Sequence, residues 1–218
     1  MNINSIKSQF PIFSKKINGK PLVYLDSSNS SQKPLSVLNC LDSFYKNEFS
    51  NIGRSIHSLA VNATNKFEET RESVKKFINA NSKDEIIFTK NATESINLVA
   101  SSFGQINIQK GDEILISELE HHSNYIPWHY LRETKGAIIK FAPINEDGDI
   151  VIEKLKELIT PRTKIIAITH LSNVTGTIVP IKEIVELAHK KNIPVLVDGC
   201  QSAPHMKIDV QDLNCDFY

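Results

Sequence analysis

The chain is poor in cysteine and carries no excess of charge of either sign. Its three cysteines, Cys40, Cys200 and Cys215, are an odd number and lie far apart, so they form neither a disulfide framework nor a CxxC metal-binding pattern. Lys plus Arg and Asp plus Glu both number 25. The resulting net charge of zero gives no electrostatic reason to expect nucleic acid or an anionic membrane as a partner. The cysteine usage predicts a reducing compartment, the cytoplasm.

Long apolar runs are also missing. The first twenty residues contain no apolar core that could serve a signal peptide, and no run approaches the roughly 18 apolar residues of a membrane span. Repeats, low-complexity tracts and obvious linkers are absent. A chain of 218 residues that is 40% hydrophobic can bury the core of one or two domains. We expect residues 1–20 to form a polar N-terminal arm and residues 21–218 to form one large domain.

Apolar, β-branched segments alternate with helical patterns along the chain. The predicted strands are LVYL (22–25), EIIFT (85–89), EILIS (113–117), IIKFA (138–142), KIIAIT (164–169) and PVLVD (194–198), with CDFY (215–218) as the opening of another. Helical patterns occupy residues 34–49, 63–80 and 180–191. This alternation predicts an α/β fold with a mainly parallel sheet and helices on both faces. Because the sequence stops inside a strand-like run, we expect the chain to be truncated.

Polar side chains follow the predicted strands at the edge where parallel α/β sheets bind ligands. Thr93 opens the helix after EIIFT, and a Thr beside free helix amides can hold a phosphate, although plain N-capping by Asn91 or Thr93 explains the same pattern. His121 and His122 follow EILIS. Neighbouring side chains of an extended segment point to opposite sides, so the two cannot easily ligate one metal. One of them can face the crevice, and a plain surface histidine is the alternative.

The next two strand ends carry an amide and a carboxylate. Asn173 lies in the turn after KIIAIT, where it either contacts a ligand or stabilises the loop. Asp198 ends the apolar strand PVLVD, and a carboxylate at that depth needs a cation or strong donors. It can be a metal ligand, an orienting acid, a salt-bridge member or the partner of the pyridinium nitrogen of pyridoxal phosphate. Gln201 lies just beyond, after Gly199, which allows close backbone approach.

Taken together, these residues predict one cofactor site and no metal-ligand set. The phosphate would lie on Thr93 and its helix, with His121 stacked on the ring and Asp198 under the ring nitrogen. Asn173 and Gln201 would hydrogen-bond the ring edge.

Seven stretches of the chain carry a family resemblance. They are YLDSSNSSQKP, NIGRSIHSLA, ATESINLVA, EHHSNYIPW, THLSNVTGT, VDGCQSAPH and NCDFY. In this order they resemble the class V aminotransferase-type pyridoxal-phosphate enzymes, and most closely the SUF-type cysteine desulfurases of iron–sulfur cluster assembly. The resemblance implies that residues 21–218 are an incomplete large domain of the fold type I transferases, without the small C-terminal domain. It also implies pyridoxal 5′-phosphate, L-cysteine as substrate, a homodimer and a sulfur-acceptor protein of the SUF system.

The resemblance also implies roles for individual residues. His121 matches the histidine that stacks on the ring and handles protons, and Asp198 matches the acid at the pyridine nitrogen. Gln201 matches the partner of the ring hydroxyl, and Thr93 matches the phosphate-binding threonine. Asn173 matches the contact to cofactor and substrate carboxylate. Two further residues, Arg54 and His57, fall in the substrate-mouth segment, where helix capping or simple surface exposure is the alternative.

The chain departs from the family pattern at Ser28, Asn29 and Gly53, which we expect to alter the pocket mouth. The family's Schiff-base lysine and persulfide-forming cysteine lie beyond Tyr218, and none of the three cysteines matches the latter. We therefore expect the chain itself to be inactive. Three alternatives stay open: a selenocysteine lyase, epimerase or transaminase of the same superfamily, a metal-dependent hydrolase built from His121, His170 and Asp198, and a non-catalytic remnant that pairs with a partner.

Overall fold

The computed structural model describes residues 2–218, which divide into two compact units, a first that ends at Glu72 and a second that comprises Ser73–Tyr218. The first unit contains helices α1 (Ile3–Lys7), α2 (Leu35–Asn47) and most of α3 (Ser58–Ile78), with strands β1 (Lys16–Ile17) and β2 (Lys20–Pro21). The two strands pair antiparallel around Asn18 and Gly19, which both have positive φ, as a two-residue hairpin turn requires.

The predicted strand LVYL (22–25) is wrong, because this segment is irregular. The backbone N–H of Leu22 still donates to the carbonyl of Lys15 at 3.1 Å, which extends the hairpin by one bond. Val23 and Leu25 are 76% and 91% exposed, so neither side chain reaches a core. A strand-like pattern forms a strand only where a neighbouring strand and a covering layer exist.

A four-stranded parallel sheet forms the centre of the second unit. Its strands are β3 (Glu113–Ser117), β4 (Ile138–Ala142), β5 (Thr163–Thr169) and β6 (Val195–Asp198), in the order β4-β3-β5-β6. Four predicted strands are confirmed, with ends that differ by at most one residue. Strands β3 and β6 are buried along their whole length, as expected for parallel strands covered on both faces. The predicted α/β class is therefore confirmed.

Helices cover both faces of this sheet. Besides the end of α3, the helices of this unit are α4 (Ala92–Val99), α5 (Gln105–Asn107), α6 (Ile126–Lys135), α7 (Ile152–Leu158), α8 (Ile181–His189), α9 (Ser202–His205) and α10 (Val210–Leu213). Leu115 and Ile166 point into the core that contains α7 and α8, whereas Ile114, Ile116 and Ile165 point into the core that contains α4 and α6. Alternate residues of each strand thus fill opposite cores. No helix within residues 2–218 combines the length and the apolarity needed to cross a membrane.

The predicted strand EIIFT (85–89) is also wrong. A cavity of about 480 Å³ lies between this segment and Phe217, and Ile87 is 68% exposed. Phe217 itself forms one parallel bridge to Leu196, so the CDFY segment begins to extend the sheet beyond β6. The cavity separates this segment from Phe217, so within the described residues the segment has no neighbouring strand with which to pair.

A buried carboxylate ties the amino ends of the strands together. Glu113 is fully buried and accepts from Lys140 (2.8 Å), Arg162 (2.8 Å) and the hydroxyl of Thr160 (2.6 Å). Burial alone would raise the pKa of Glu113, but the hydrogen bonds from these three groups outweigh it and lower the pKa to about 2. This charge network lies at the sheet edge opposite to the predicted site.

Candidate active site

The carboxyl ends of three strands meet at one edge of the sheet. Thr169, the last residue of β5, pairs with Asp198, the last residue of β6, and the N–H of His170 donates to the carbonyl of Asp198 at 3.0 Å. β3 ends beside them at Ser117. The loops that leave these strands therefore start from adjacent positions on one rim, as the sequence predicts for a parallel sheet.

Glu120 fixes the loop that follows β3. Its Oε1 accepts from the hydroxyl of Ser117 (2.5 Å) and from the N–H of Thr169 (2.9 Å), and its Oε2 accepts from Nδ2 of Asn124 (2.7 Å). Asn124 is oriented by the indole N–H of the fully buried Trp128, which donates to its Oδ1 at 3.1 Å. Glu120 thus connects the ends of β3 and β5 to the start of α6, immediately before His121.

Burial dominates the protonation of Glu120. The loss of hydration raises its pKa to about 7, although hydrogen bonds from Ser117, Thr169 and Asn124 act in the opposite direction. The charge of Asp198 adds to the rise, which places the two carboxyl groups in one electrostatic environment. We missed Glu120 in the sequence because its role depends on the fold of the loop. The available indication was its place three residues after the strand end.

Ser123 connects two of the predicted site residues, Thr93 and His121. The Thr93 and Ser123 hydroxyl oxygens are 2.6 Å apart, and Nδ1 of His121 lies 3.0 Å from the Ser123 hydroxyl. The N–H of Ser123 donates to the same Nδ1 at 3.2 Å. Residues thirty positions apart in sequence therefore share one hydrogen-bonded chain. Ser123 is not among the site residues predicted from the sequence.

Asn91, and not Thr93, caps the N-terminus of α4. The Oδ1 of Asn91 accepts a hydrogen bond from the N–H of Glu94 at 2.9 Å. Thr93 is exposed, and its hydroxyl contacts Ser123 instead of capping the helix. It lies in the first turn of α4, where backbone amides without helical partners favour an anion.

Asp198 lines a largely apolar cavity of about 350 Å³ beside the rim. The residue is 7% exposed, and its Oδ1 accepts the N–H of Cys200 at 3.0 Å. Gly199 leaves room for the ring of Tyr218, which lies only 2.3 Å from where a Cβ would stand. Cys200 is exposed overall, but partial loss of hydration and the charge of Asp198 raise the pKa of its thiol, so this environment disfavours a nucleophilic thiolate.

The remaining predicted residues lie at different depths. Asn173 is exposed in a turn whose backbone is held by its neighbour, since the Ser172 hydroxyl accepts the N–H groups of Val174 and Thr175 at 3.2 Å each. Gln201 is half-buried just before α9. Asn173 is therefore not needed to shape its own turn, while Gln201 follows Asp198 on the same rim.

Arg54 belongs to the first unit, where it is exposed. Its place in a substrate mouth stays a prediction. His57 accepts the N–H of Ala60 through Nδ1 at 3.3 Å, which agrees with the helix-capping alternative for that residue. Gly53 has a φ of +107°, a backbone conformation that the histidine implied by the family resemblance at this position would adopt only with strain. The departure from the family pattern at this position therefore suits the local backbone.

His170 and His121 have different hydrogen-bond partners. It is 5% exposed, its Nδ1 lies 3.3 Å from the hydroxyl of Tyr218, and burial lowers its pKa. Within residues 2–218 no three His, Cys, Asp or Glu side chains are grouped so that they could hold a metal ion. The described residues thus provide no ligand set for the hydrolase hypothesis built on His121, His170 and Asp198.

The donors present at the rim fit pyridoxal phosphate. A carboxylate at the wall of an apolar cavity suits a protonated pyridine nitrogen. Hydroxyl groups at the start of α4 suit a phosphate, and the exposed imidazole of His121 is available to a flat ring. These are the chemical groups of a cofactor site at the carboxyl edge of an α/β sheet.

Comparisons with known proteins agree with this class. The model of the family described as aminotransferase class-V matches residues 23–218. The chain belongs to this family, and the predicted resemblance is confirmed.

The relatives are cysteine desulfurases. The chain is 51% identical over 218 residues to a probable cysteine desulfurase of Halalkalibacterium halodurans, covering all of this chain and 54% of the relative. It is 49% identical to one of Staphylococcus aureus, covering 52% of that protein. The cysteine desulfurase CsdA of Escherichia coli superposes with a TM-score of 0.87 at 36% identity, over 100% of this chain and 53% of that one. The apo cysteine desulfurase of Thermococcus onnurineus gives 0.91 at 32% identity, over 99% and 52%. The chain thus spans about half the length of the curated relatives that it matches.

Proposed function

We propose that the chain is the N-terminal part of a pyridoxal-phosphate-dependent cysteine desulfurase that acts in the cytoplasm and supplies sulfur for iron–sulfur cluster assembly. In the proposed reaction the carbon–sulfur bond of L-cysteine breaks, the sulfur passes to an enzyme cysteine as a persulfide, and L-alanine leaves. The proposal includes a homodimer and a sulfur-acceptor protein of the SUF system. The observation that carries it is the hydrogen-bonded chain from Thr93 through Ser123 to His121, in a chain of this family whose α4 begins at Ala92, a residue that lines the same cavity as Asp198.

Each residue has a defined task in this proposal. When bound, pyridoxal phosphate withdraws electrons from the amino-acid substrate. Asp198 keeps a proton on the pyridine nitrogen, because its buried carboxylate is stabilised by a cation at that point. Thr93 and the first amides of α4 hold the phosphate. His121 covers the ring and moves protons.

Three further residues complete the proposed site. Gln201 bonds the ring hydroxyl, and Asn173 contacts cofactor and substrate carboxylate. A role of Arg54 in substrate binding is proposed from the family resemblance alone. The sulfur-accepting cysteine is not among the three in this chain. Partial loss of hydration and the charge of Asp198 raise the pKa of Cys200, and burial raises the pKa of Cys215 to about 11. The exposed Cys40 lies in the first unit.

Ligand binding tests the proposed site. The probe is pyridoxamine 5′-phosphate, which has no aldehyde to react with surface lysines. The 218-residue chain should bind it saturably, and Asp198→Asn should weaken binding about tenfold or more, because one charge-assisted hydrogen bond is worth roughly 1.5–3 kcal/mol. Asp147→Asn, at an exposed loop position, is the matched control and should not change it. Equal binding by all three proteins would contradict the assignment of Asp198.

An activity assay tests the proposed reaction and the need for a cysteine outside this chain. We expect no release of L-alanine from L-cysteine by the 218-residue chain in the presence of pyridoxal phosphate. Sustained turnover would show that the persulfide-forming cysteine of the family is not required, and the proposed mechanism would be wrong.

A further inference from the structure

Ser123, which has no role in the proposed function, holds the side chain of His121 from one side. Three contacts define the arrangement: the N–H of Ser123 to Nδ1 of His121 (3.2 Å), the hydroxyl of Ser123 to the same Nδ1 (3.0 Å), and the hydroxyl of Ser123 to that of Thr93 (2.6 Å). Ser123 therefore touches one ring nitrogen with two different groups. The other ring nitrogen, Nε2, takes no part in these contacts.

The direction of these hydrogen bonds follows from the chemistry of the donors. A backbone N–H can only donate, so Nδ1 of His121 must accept and cannot carry a proton. A hydroxyl both donates and accepts. The Ser123 hydroxyl can thus donate to Nδ1 while it accepts from the Thr93 hydroxyl. In a neutral imidazole with Nδ1 unprotonated, the proton lies on Nε2.

We propose that Ser123 is a positioning residue that fixes His121 as the Nε2–H tautomer and links its orientation to the phosphate-binding end of α4 through Thr93. This inference rests on the proposed function, since it names the atom through which His121 moves a proton. That atom is Nε2, because Nδ1 is occupied by Ser123. A ring held at Nδ1 by both a backbone and a side-chain group also keeps its plane, as stacking on a flat cofactor demands.

Two neighbouring features make the arrangement specific. Glu120, immediately before His121, is tied to β3, β5 and α6 by its three hydrogen bonds. Ser123, two residues after His121, is tied to α4. The backbone of His121 is thus anchored on both sides. Ser123→Ala removes the tie to α4 but keeps the three bonds of Glu120 and the backbone N–H that donates to Nδ1, so Glu120 should still hold the loop while the ring changes.

Nitrogen NMR of the histidine rings in the 218-residue chain tests the proposal without any cofactor. At a pH where the imidazole is neutral, His121 should show an unprotonated, hydrogen-bonded Nδ1 and a protonated Nε2. Ser123→Ala should move the Nδ1 resonance towards that of an imidazole with a single donor and increase the motion of the ring. Ser123→Thr, which keeps the hydroxyl, should restore both. The resonances of His122 are the internal control and should not change, whereas general loosening of the fold would alter both histidines.

The outcomes are distinct. A protonated Nδ1 in the unmodified chain, or a His121 spectrum unchanged by Ser123→Ala, would overturn the proposal. Thr93→Val should leave the Nδ1 contact of Ser123 in place, so loss of the hydrogen-bonded Nδ1 resonance in that variant would also overturn the direction assigned here. In parallel, Ser123→Ala should weaken pyridoxamine 5′-phosphate binding several-fold, with recovery in Ser123→Thr. Failure of the unmodified chain to bind that probe would contradict the proposed function, while the NMR result would still decide the role of Ser123.

Discussion

Replacing Glu120 by glutamine should destabilise the chain at acidic pH and stabilise it at mildly alkaline pH. The folded-state pKa of Glu120 is about 7, raised from 4.5 mainly by burial. Folding therefore favours the protonated acid. The resulting stabilisation is fully present below pH 4.5 and is lost as the pH rises through about 7.

The size of the effect follows from the same values. A rise from 4.5 to about 7 corresponds to roughly 3 kcal/mol at 1.36 kcal/mol per pH unit. Because the residue keeps some solvent exposure, we expect about 2 kcal/mol to be realised. Glutamine keeps Oε1 for Thr169 and Ser117, but its amide nitrogen faces the Nδ2 donor of Asn124, which costs about 1 kcal/mol at every pH.

Glu120→Gln should therefore be about 1 kcal/mol less stable than the unmodified chain at pH 4.5 and about 1 kcal/mol more stable at pH 8, by the estimates above. Urea denaturation at several pH values measures the difference. Burial lowers the pKa of His170, which gives a pH dependence of the opposite sign, but this residue is present in both proteins and its effect cancels. Glu118→Gln, at an exposed position two residues earlier, is the matched control. A difference between the chain and Glu120→Gln that is constant from pH 4.5 to 8 would refute the reasoning.

Three further changes test the packing around the sheet. Glu113→Gln should lower the free energy of unfolding by roughly 3 kcal/mol at pH 7, because Lys140 loses a buried counter-charge. The unmodified chain should lose this stabilisation as the pH falls from 4.5 towards 2. Denaturation of the unmodified chain at both ends of that pH range measures the loss. Tyr218→Phe should cost about 1 kcal/mol through loss of the 2.7 Å contact with Ser202. Absorbance titration of the unmodified chain should find one tyrosine that ionises only near pH 12, absent from this variant. Gly199→Ala should cost roughly 1–3 kcal/mol, because its Cβ would meet the ring of Tyr218 at 2.3 Å. The cost should fall in a Tyr218→Ala background, and an equal cost in both would be contrary to this contact.

The sheet and its rim could be predicted because they depend on patterns that are local in sequence. Strands β3, β5 and β6 are buried on both faces and therefore appear as uninterrupted apolar runs. Parallel pairing then places Thr169 and Asp198 side by side. The same patterns failed at residues 22–25 and 85–89, because strand formation also requires a neighbour that local sequence cannot provide.

The inner contacts of the site could not be predicted for a related reason. Glu120 and Ser123 are ordinary polar residues in a polar stretch, and their partners Thr169 and Thr93 lie 49 and 30 positions away. Only the folded loop brings these atoms within hydrogen-bonding distance. Hydrogen bonds between loop side chains that are far apart in sequence produce no periodic pattern, so they cannot be predicted from composition or residue spacing.

The side chains at the rim differ in how firmly other residues of the protein hold them. This difference affects how the proposed site would work. His121 is fixed on both flanks and at Nδ1, so its geometry exists before any ligand arrives, as catalysis by a positioned group requires. Asn173 is exposed in a turn that Ser172 already holds, so its side chain can adopt its binding orientation only when a ligand supplies a partner. We therefore expect the proton-handling side of the proposed site to be preorganised, and the side assigned to the substrate carboxylate to become ordered with the substrate.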